Sequence, residues 1–335
     1  MLAAGLDFDS RCFTFRHVPE PVPEDGEVLL EVLEGGVCGT DRELAHFAFG
    51  EPPAGERFLI LGHEALCRVV GPAAGFERGD LVVPQVRRTC PARCVSCLRR
   101  RRDLCVSGQA RDRGITGVHG YLARWAVDRP EDLVRVPAAL ADRAVLLEPL
   151  SVVEKAIHTA LRLHEAGPRT ALVMGAGPIG MLAALALSAR GFETAVTSLE
   201  PSDEPRVRLL ARAGVRYTQG VEHAPKADVV FEATGSPHAA LAGFERLAPL
   251  GVYAIIGASQ PFGRIPFLEM VINNQTVFGT VNASPAAFDS AVEDLARFDS
   301  GITDALIERR TFSALTESIL GAPGGAVKLV HRVSE

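Results

Sequence analysis

The chain has 335 residues, 47% of them apolar and 23% charged. That composition excludes disordered and fibrous architectures, and the length favours two packed cores over one. A formal net charge of -6 excludes a protein whose main business is wrapping nucleic acid or coating an anionic membrane, unless a local patch supplies the role.

In chain order, Met1 to Cys12 carries Asp7, Asp9 and Arg11 with no long apolar run behind a basic start, so it does not read as a secretory signal and the expected compartment is cytoplasmic. Short β-type runs follow at Glu27 to Val32, Phe58 to Leu61, Ala65 to Val70, Leu81 to Val83 and Tyr121 to Val127, punctuated by Gly, Pro and Asp, the grammar of a compact β-rich domain. From about Ser151 the period becomes helical, with Val152, Ala156, Ile157, Ala160 and Leu161 in step and Pro149 at a helix start, so a long helix is expected to join the two domains.

Beyond it strands and helices alternate: Thr170 to Met174, a helix after Gly180, Thr194 to Leu199, a helix near Arg206 to Ala213, then Val229 to Glu232 and Val252 to Ile256. Alternation with short connections predicts an α/β fold with a parallel sheet covered by helices. Pro285 to Phe298 reads as a further helix and Ala326 to Val330 as a strand returning to the first domain. The expected boundaries are 1–150 with 285–335 for the β-rich domain and 151–284 for the parallel sheet. Thr170 to Ala189 is uncharged for twenty residues, but its crowded glycines and Pro178 fit strand, turn and helix better than a membrane span.

Chemistry concentrates in three places. Gly175-Ala-Gly177-Pro178-Ile179-Gly180 is a Gly-x-Gly-x-x-Gly turn between a strand and an apolar helix, where glycines admit a tight turn and close backbone approach to a pyrophosphate at the helix N-terminus. Twenty residues on, Glu200 ends the second strand, where a carboxylate accepts from adenosine ribose hydroxyls, favouring NAD over NADP; a solvated turn charge is the alternative, and Ser198 could meet a 2′-phosphate. Cys90-x3-Cys94-x2-Cys97-x7-Cys105 crowds four thiols into a lobe at about 88–106, a set that closes a tetrahedral shell around a structural zinc. The adjoining Arg99 to Arg102 reads as a solvated loop or, alternatively, a nucleic-acid contact.

The third set is dispersed: Cys38, His63 with Glu64, and Glu148. Singly, Cys38 could be core, Thr40 to Glu43 fits a helix capping box, and Glu148 could cap a helix. Together, one thiolate, one imidazole and one or two carboxylates supply three protein ligands and an open position, as a catalytic zinc needs. Lys155, Lys226 and Lys328 are the lysines among 35 basic residues, which reads as genome bias.

These residues in this order resemble the zinc-dependent medium-chain dehydrogenase/reductase family over nearly the whole chain, with Gly-His63-Glu64, Gly79-Asp80, the four-cysteine lobe, Leu-Glu148-Pro and Glu232-Ala-Thr-Gly235 as matching stretches. Cys38-Gly-Thr-Asp-Arg-Glu43, Arg113-Gly-Ile, Val118-His-Gly120 and Gly279-Thr-Val-Asn282 resemble its glucose 1-dehydrogenase branch most. The resemblance implies a GroES-like catalytic domain and a Rossmann doubly wound parallel sheet. It implies catalytic zinc on Cys38, His63 and Glu148, with Glu64 ligating directly or through water. Thr40 would bond the reacting hydroxyl, and Asp112, Glu148 and Asn282 would contact sugar hydroxyls. Gly257, Ala258, Ser259, Thr280, Val281 and Asn282 would line the nicotinamide end of the coenzyme.

The implied reaction is oxidation of a sugar hydroxyl, aldose to lactone for glucose, with NAD, or NADP in its place, and two zinc ions. The expected partner is a small sugar or polyol, with no nucleic acid and no membrane, and the resemblance implies a homodimer or homotetramer. Polyol or amino-alcohol oxidation is the alternative within the family, and a non-catalytic nucleotide-binding regulator the alternative outside it. The chain departs from the branch at Cys90-x3-Cys94, at Val86-Arg87-Arg88, and at Ser198-Leu199-Glu200, where NADP-using relatives carry Asn-Arg-Arg.

Overall fold

A computed structural model describes every residue except 72–74, 258–262, 323 and 335. The chain divides into two compact units, Met1–Glu148 with Ile307–Glu335, and Pro149–Leu306. The second boundary differs from the expectation of 285: helices Pro285–Arg297 and Ser300–Leu306 belong to the second unit. Arg190 explains the difference, because its guanidinium pairs with both Asp294 of the later helix and Glu154, tying that helix to the parallel-sheet unit.

In the first unit strand Val28–Val37 is the organising element. Val28, Leu30 and Val32 are buried on alternate positions, as a strand with one face on the core requires. It pairs antiparallel with Glu64–Val69 on one side and with Lys328–Arg332 on the other, so the C-terminal strand does rejoin the first unit. The register sets Gly36 opposite both Glu64 and Val330, and Val37 opposite Leu329. The start of two neighbouring strands and the end of the central one therefore meet at one edge. A Cβ on Gly36 would collide with the Glu64 carboxylate, so the glycine makes room for that side chain. A smaller sheet orders Cys12–His17, Leu2–Asp7 and Phe58–Ile60.

The second unit holds a six-stranded parallel sheet in the order Arg216–Gln219, Glu193–Ser198, Thr170–Met174, Ala227–Glu232, Leu247–Ile255, Thr276–Gly279. The middle strands are buried on both faces and read as continuous apolar runs, as helix-covered parallel strands do. Strand order reverses beside Thr170–Met174, the switch point where ligands bind in open α/β sheets. Among the described residues no helix is long and apolar enough to cross a membrane, and Thr170 to Ala189 divides into strand Thr170–Met174 and helix Pro178–Ala189.

Candidate active site and metal centres

Cys38 follows the central strand and is the N-cap of the short helix Gly39–Ala45. Its backbone N–H donates to Asp41 Oδ2 at 2.8 Å, so the capping residue pair is Cys38 and Asp41 and not Thr40 and Glu43. The other oxygen, Asp41 Oδ1, lies 3.4 Å from His63 Nδ1. Asp41 is fully buried and His63 nearly so. Desolvation works against the charged imidazole, but the Asp41 carboxylate outweighs it and holds His63 well above its ordinary range. A histidine whose Nδ1 faces a carboxylate presents Nε2 to a metal, the arrangement that fixes tautomer and raises ligand basicity.

Cys38 Sγ, a His63 ring nitrogen and a Glu64 carboxylate oxygen all lie within 4.8 Å of one another. Three donors of soft, borderline and hard character at that separation fit a zinc ion with one position open. Glu148 stands in the first turn of helix Leu147–Leu163 and lies outside that set of three. It is buried, and burial, reinforced by the neighbouring Glu64 charge, pushes its carboxyl up to about 7 against the pull of His63 and Lys328. Thr40 Oγ1 is 3.8 Å from Cys38 Sγ.

Two residues of this site carry roles that the sequence motifs did not reveal. Asp41 was visible only as part of Cys38-Gly-Thr-Asp. Lys328 is buried at the start of the C-terminal strand, ion-paired with Glu64 Oε2 and donating to the Val37 carbonyl at 3.2 Å. A signal was available: in a chain that writes nearly every cation as arginine, two of the three lysines, Lys155 and Lys328, are buried, while Lys226 is exposed. Genome bias explains the rarity of lysine but not where it survives. Lys155, also buried, donates to the Val281 carbonyl at 2.8 Å.

The second cluster gathers Cys90, Cys94, Cys97 and Cys105, whose sulfurs also lie within 4.8 Å of one another. Backbone N–H groups of Cys97 and Val106 hold the Cys94 thiol down at about 6, whereas burial pushes Cys97 up to about 12. Four sulfurs this close, with no further donor, fit a closed structural zinc shell, which would hold all four as thiolates. The three-residue first gap does not keep Cys90 from the set. In the adjoining arginine run, Arg101 makes a bidentate pair with Asp103 at 3.0 and 2.8 Å, and Arg102 is buried against Asp132. Half of that run anchors the lobe, which corrects the expectation of a solvated loop and removes those two cations from any nucleic-acid surface.

In the second unit Gly175 has φ of 106°, and a Cβ on Gly180 would collide with the Gly175 carbonyl oxygen, so both positions demand glycine. Gly177 caps helix Pro178–Ala189 with open space where its Cβ would stand, the room a pyrophosphate needs above helix N–H groups. Ile179 lies in that first turn. Glu200 stands two residues past strand Glu193–Ser198, its carboxylate 3.5 Å from Arg206, while Ser198 Oγ is 2.9 Å from Tyr217 OH. Gly257 packs against Glu232 and Gly235, and Thr280 N donates to the Ile255 carbonyl at 3.1 Å. Val281 is exposed and Asn282 has φ of 58°. Ala258 and Ser259 lie outside the described residues. Asp112 faces Arg87 in a bidentate pair at 2.9 and 2.8 Å, so both its oxygens have a cationic partner.

A parallel nucleotide-type sheet in one unit and a clustered thiol, imidazole and carboxylate in the other define an alcohol-dehydrogenase class of architecture. The family described as alcohol dehydrogenase GroES-like domain matches residues 24–138, and that described as glucose dehydrogenase C-terminus matches residues 141–330. Similar proteins include glucose 1-dehydrogenase 2 of Vulcanisaeta moutnovskia, 40% identical over 294 residues, and glucose 1-dehydrogenase of Thermoproteus tenax, 41% identical over 294 residues; each match covers 84% of this chain and 83% of the relative. Haloferax mediterranei glucose dehydrogenase, solved in complex with NADP, zinc and gluconolactone, superposes with a TM-score of 0.92 at 28% identity, covering 100% of both chains. The chain belongs to the medium-chain dehydrogenase/reductase family, in its glucose dehydrogenase branch.

Proposed function

We propose that this protein is a zinc-dependent glucose 1-dehydrogenase, oxidising the anomeric hydroxyl of an aldose to the lactone with NAD, or with NADP in its place. The observation that carries the reading is the set of half-buried Cys38 with buried His63 and Glu64 in a chain about two-fifths identical to named glucose 1-dehydrogenases. Cys38, His63 and Glu64 would hold the catalytic zinc, with Glu148 as a further ligand or substrate contact, and the four lobe cysteines the structural one. When bound, the ion supplies Lewis acidity that lowers the pKa of an alcohol, and the nicotinamide dinucleotide supplies the two-electron acceptor.

The protein's own residues do the rest. Asp41 holds the His63 ring in orientation, and Lys328, buried with Glu64, neutralises its charge. Thr40 would accept the proton of the reacting hydroxyl into a relay. Glu148, with its carboxyl near 7, is suited to take up and return that proton at neutral pH. The aldose thus loses one proton and one hydride, which balances lactone formation. Asp112 and Asn282 would bind the remaining sugar hydroxyls. Gly175, Gly177, Pro178, Ile179 and Gly180 would cradle the pyrophosphate, with Ser198 and Glu200 at the adenosine ribose and Gly257 to Ser259 and Thr280 to Asn282 at the nicotinamide.

We place the enzyme in the cytoplasm, a compartment in which its free cysteines persist. We also assign it a homo-oligomer joined at the edge strand Thr276–Gly279, where the neighbouring Phe267, Leu268, Val271 and Ile272 are exposed. Mixing protein, NAD or NADP and a panel of aldoses, polyols and amino alcohols should yield reduced-coenzyme absorbance with aldoses first. Turnover that persists after both metal sites are stripped would overturn the assignment.

A further inference from the structure

The first unit holds a cavity of about 590 Å³ whose walls include no residue of either donor cluster. Val18 and Pro19 after strand Cys12–His17, Phe58 and Ile60 of the next strand of that small sheet, and Trp125 of strand Trp125–Asp128 make its walls mostly apolar. That size, with apolar walls and a few polar groups, is the character of a small-molecule site. Most of the polar groups already have partners. Ile60 N donates to His119 Nδ1 at 3.2 Å, which leaves the ring hydrogen on Nε2, 2.9 Å from Glu56 Oε2. Burial, with Arg113 nearby, lowers His119 below its ordinary range against the pull of Glu56, so the ring adds no positive charge of its own. Arg113 is buried and donates to the carbonyl oxygens of two wall residues, His119 at 2.9 Å and Val127, so it shapes the wall.

Arg16 and Arg57 differ from these. Arg16 gives one nitrogen to Asp7, and Arg57 approaches Asp9 through Nε at 3.5 Å. The Arg16 guanidinium carbon lies 4.9 Å from the centroid of the Phe58 ring, which sets that cation against a cavity wall. A guanidinium has five N–H donors, so both arginines keep donors for an acceptor held in the cavity. We propose that this cavity is a second ligand site, separate from the catalytic one, and that it takes a monocarboxylic acid with an apolar body. The body lies against Phe58, Ile60 and Trp125, and Arg16 and Arg57 hold the carboxylate. A neutral hydrocarbon leaves the two guanidinium groups unused, an amine meets both as like charges, and a sugar leaves the apolar walls without a matching surface. The proposal does not depend on the reaction assigned above.

Trp125 is the chain's single tryptophan, so intrinsic fluorescence reports on this cavity. The purified full chain is titrated with octanoate, with 1-octanol, which has the same body and no charge, and with acetate, which has the head and no body. Octanoate should give a saturable change in Trp125 emission, and the other two should bind more weakly by about tenfold or more, the size of one charge-assisted contact. The double variant Arg16→Gln with Arg57→Gln, at two positions outside the core, should weaken octanoate by about tenfold and leave 1-octanol unchanged. Equal binding of octanoate and 1-octanol, octanoate affinity that survives the double variant, or a response that never saturates overturns the proposal. Displacement of octanoate by glucose with NAD would put the acid in the catalytic site and overturn it as well, whereas an unchanged affinity in their presence supports a separate site.

Discussion

Replacing Asp41 with Asn keeps the shape of the side chain and removes one acceptor. In the native site each oxygen faces its own partner: Oδ2 accepts from Cys38 N at 2.8 Å, and Oδ1 lies 3.4 Å from His63 Nδ1. An amide has one oxygen, so either the cap or the histidine contact must face an NH2 group, and the buried negative charge is lost in both cases. The cap accounts for about 1 kcal/mol of stability. Loss of the carboxylate behind a metal-ligating imidazole weakens metal affinity by about 10- to 100-fold, or roughly 1.4 to 2.7 kcal/mol. Competition against a chromophoric chelator should therefore show one of two bound zinc ions released at much lower chelator concentration, with the lobe ion unaffected. Urea unfolding of the metal-free variant should show only the smaller loss. A variant that unfolds more easily yet holds both ions as tightly as the wild type would reduce Asp41 to a helix cap and refute its part in ordering His63.

Lys328→Met strands Glu64 as a buried, uncompensated charge, so the metal-free protein should lose about 3 to 5 kcal/mol in urea, and adding Glu64→Gln should restore much of it. Burial, together with Asp294 and against Arg190, pushes Glu154 up to about 7 from an ordinary 4.5. The folded state then binds a proton that the unfolded chain has released, stability falls as pH rises from about 4.5 to 7, and Glu154→Gln should flatten that part of a urea midpoint against pH profile. Zinc binding at the Cys38 site should release a proton at neutral pH, read from the buffer dependence of the binding enthalpy, because the His63 ring that Asp41 keeps protonated must shed one to ligate. Release of none would mean that the ion sits elsewhere.

The sequence made some of this architecture legible and not the rest, for physical reasons. Period and punctuation located three of the six parallel strands, Thr170–Met174, Glu193–Ser198 and Ala227–Glu232, to within two residues, because buried parallel strands write continuous apolar runs, but started Leu247–Ile255 five residues late and did not find Thr276–Gly279. The Gly-x-Gly-x-x-Gly turn and the four-cysteine lobe were legible because their chemistry is local in sequence. The short strands Leu2–Asp7 and Arg216–Gln219 were missed, since the latter is polar and half exposed at a sheet edge. Helices Pro285–Arg297 and Ser300–Leu306 were assigned to the wrong unit because their anchor, Arg190 with Asp294, is an ion pair across 104 positions that no local pattern announces. Lys328 was missed for the same reason. Its partner Glu64 is 264 positions away, and only the pairing of the C-terminal strand with Val28–Val37 brings them together.

That pairing also explains why the buried site tolerates so many charges. Without metal, the anions Asp41 and Glu64 are matched by Lys328 and by an imidazole that Asp41 keeps protonated. A divalent ion brings two positive charges, and ligation expels the proton that Asp41 keeps on His63, so part of the added charge is offset. Glu148 completes the scheme, since burial keeps its carboxyl near 7, where it can be neutral while the site rests and charged when a proton must be accepted. Lys328 is needed as a compact point charge: it must fit between the Val37 carbonyl and the Glu64 carboxylate beside Gly36, where the planar fork of an arginine would need more width. In a chain with 32 arginines and three lysines, that constraint on size accounts for a lysine at this position.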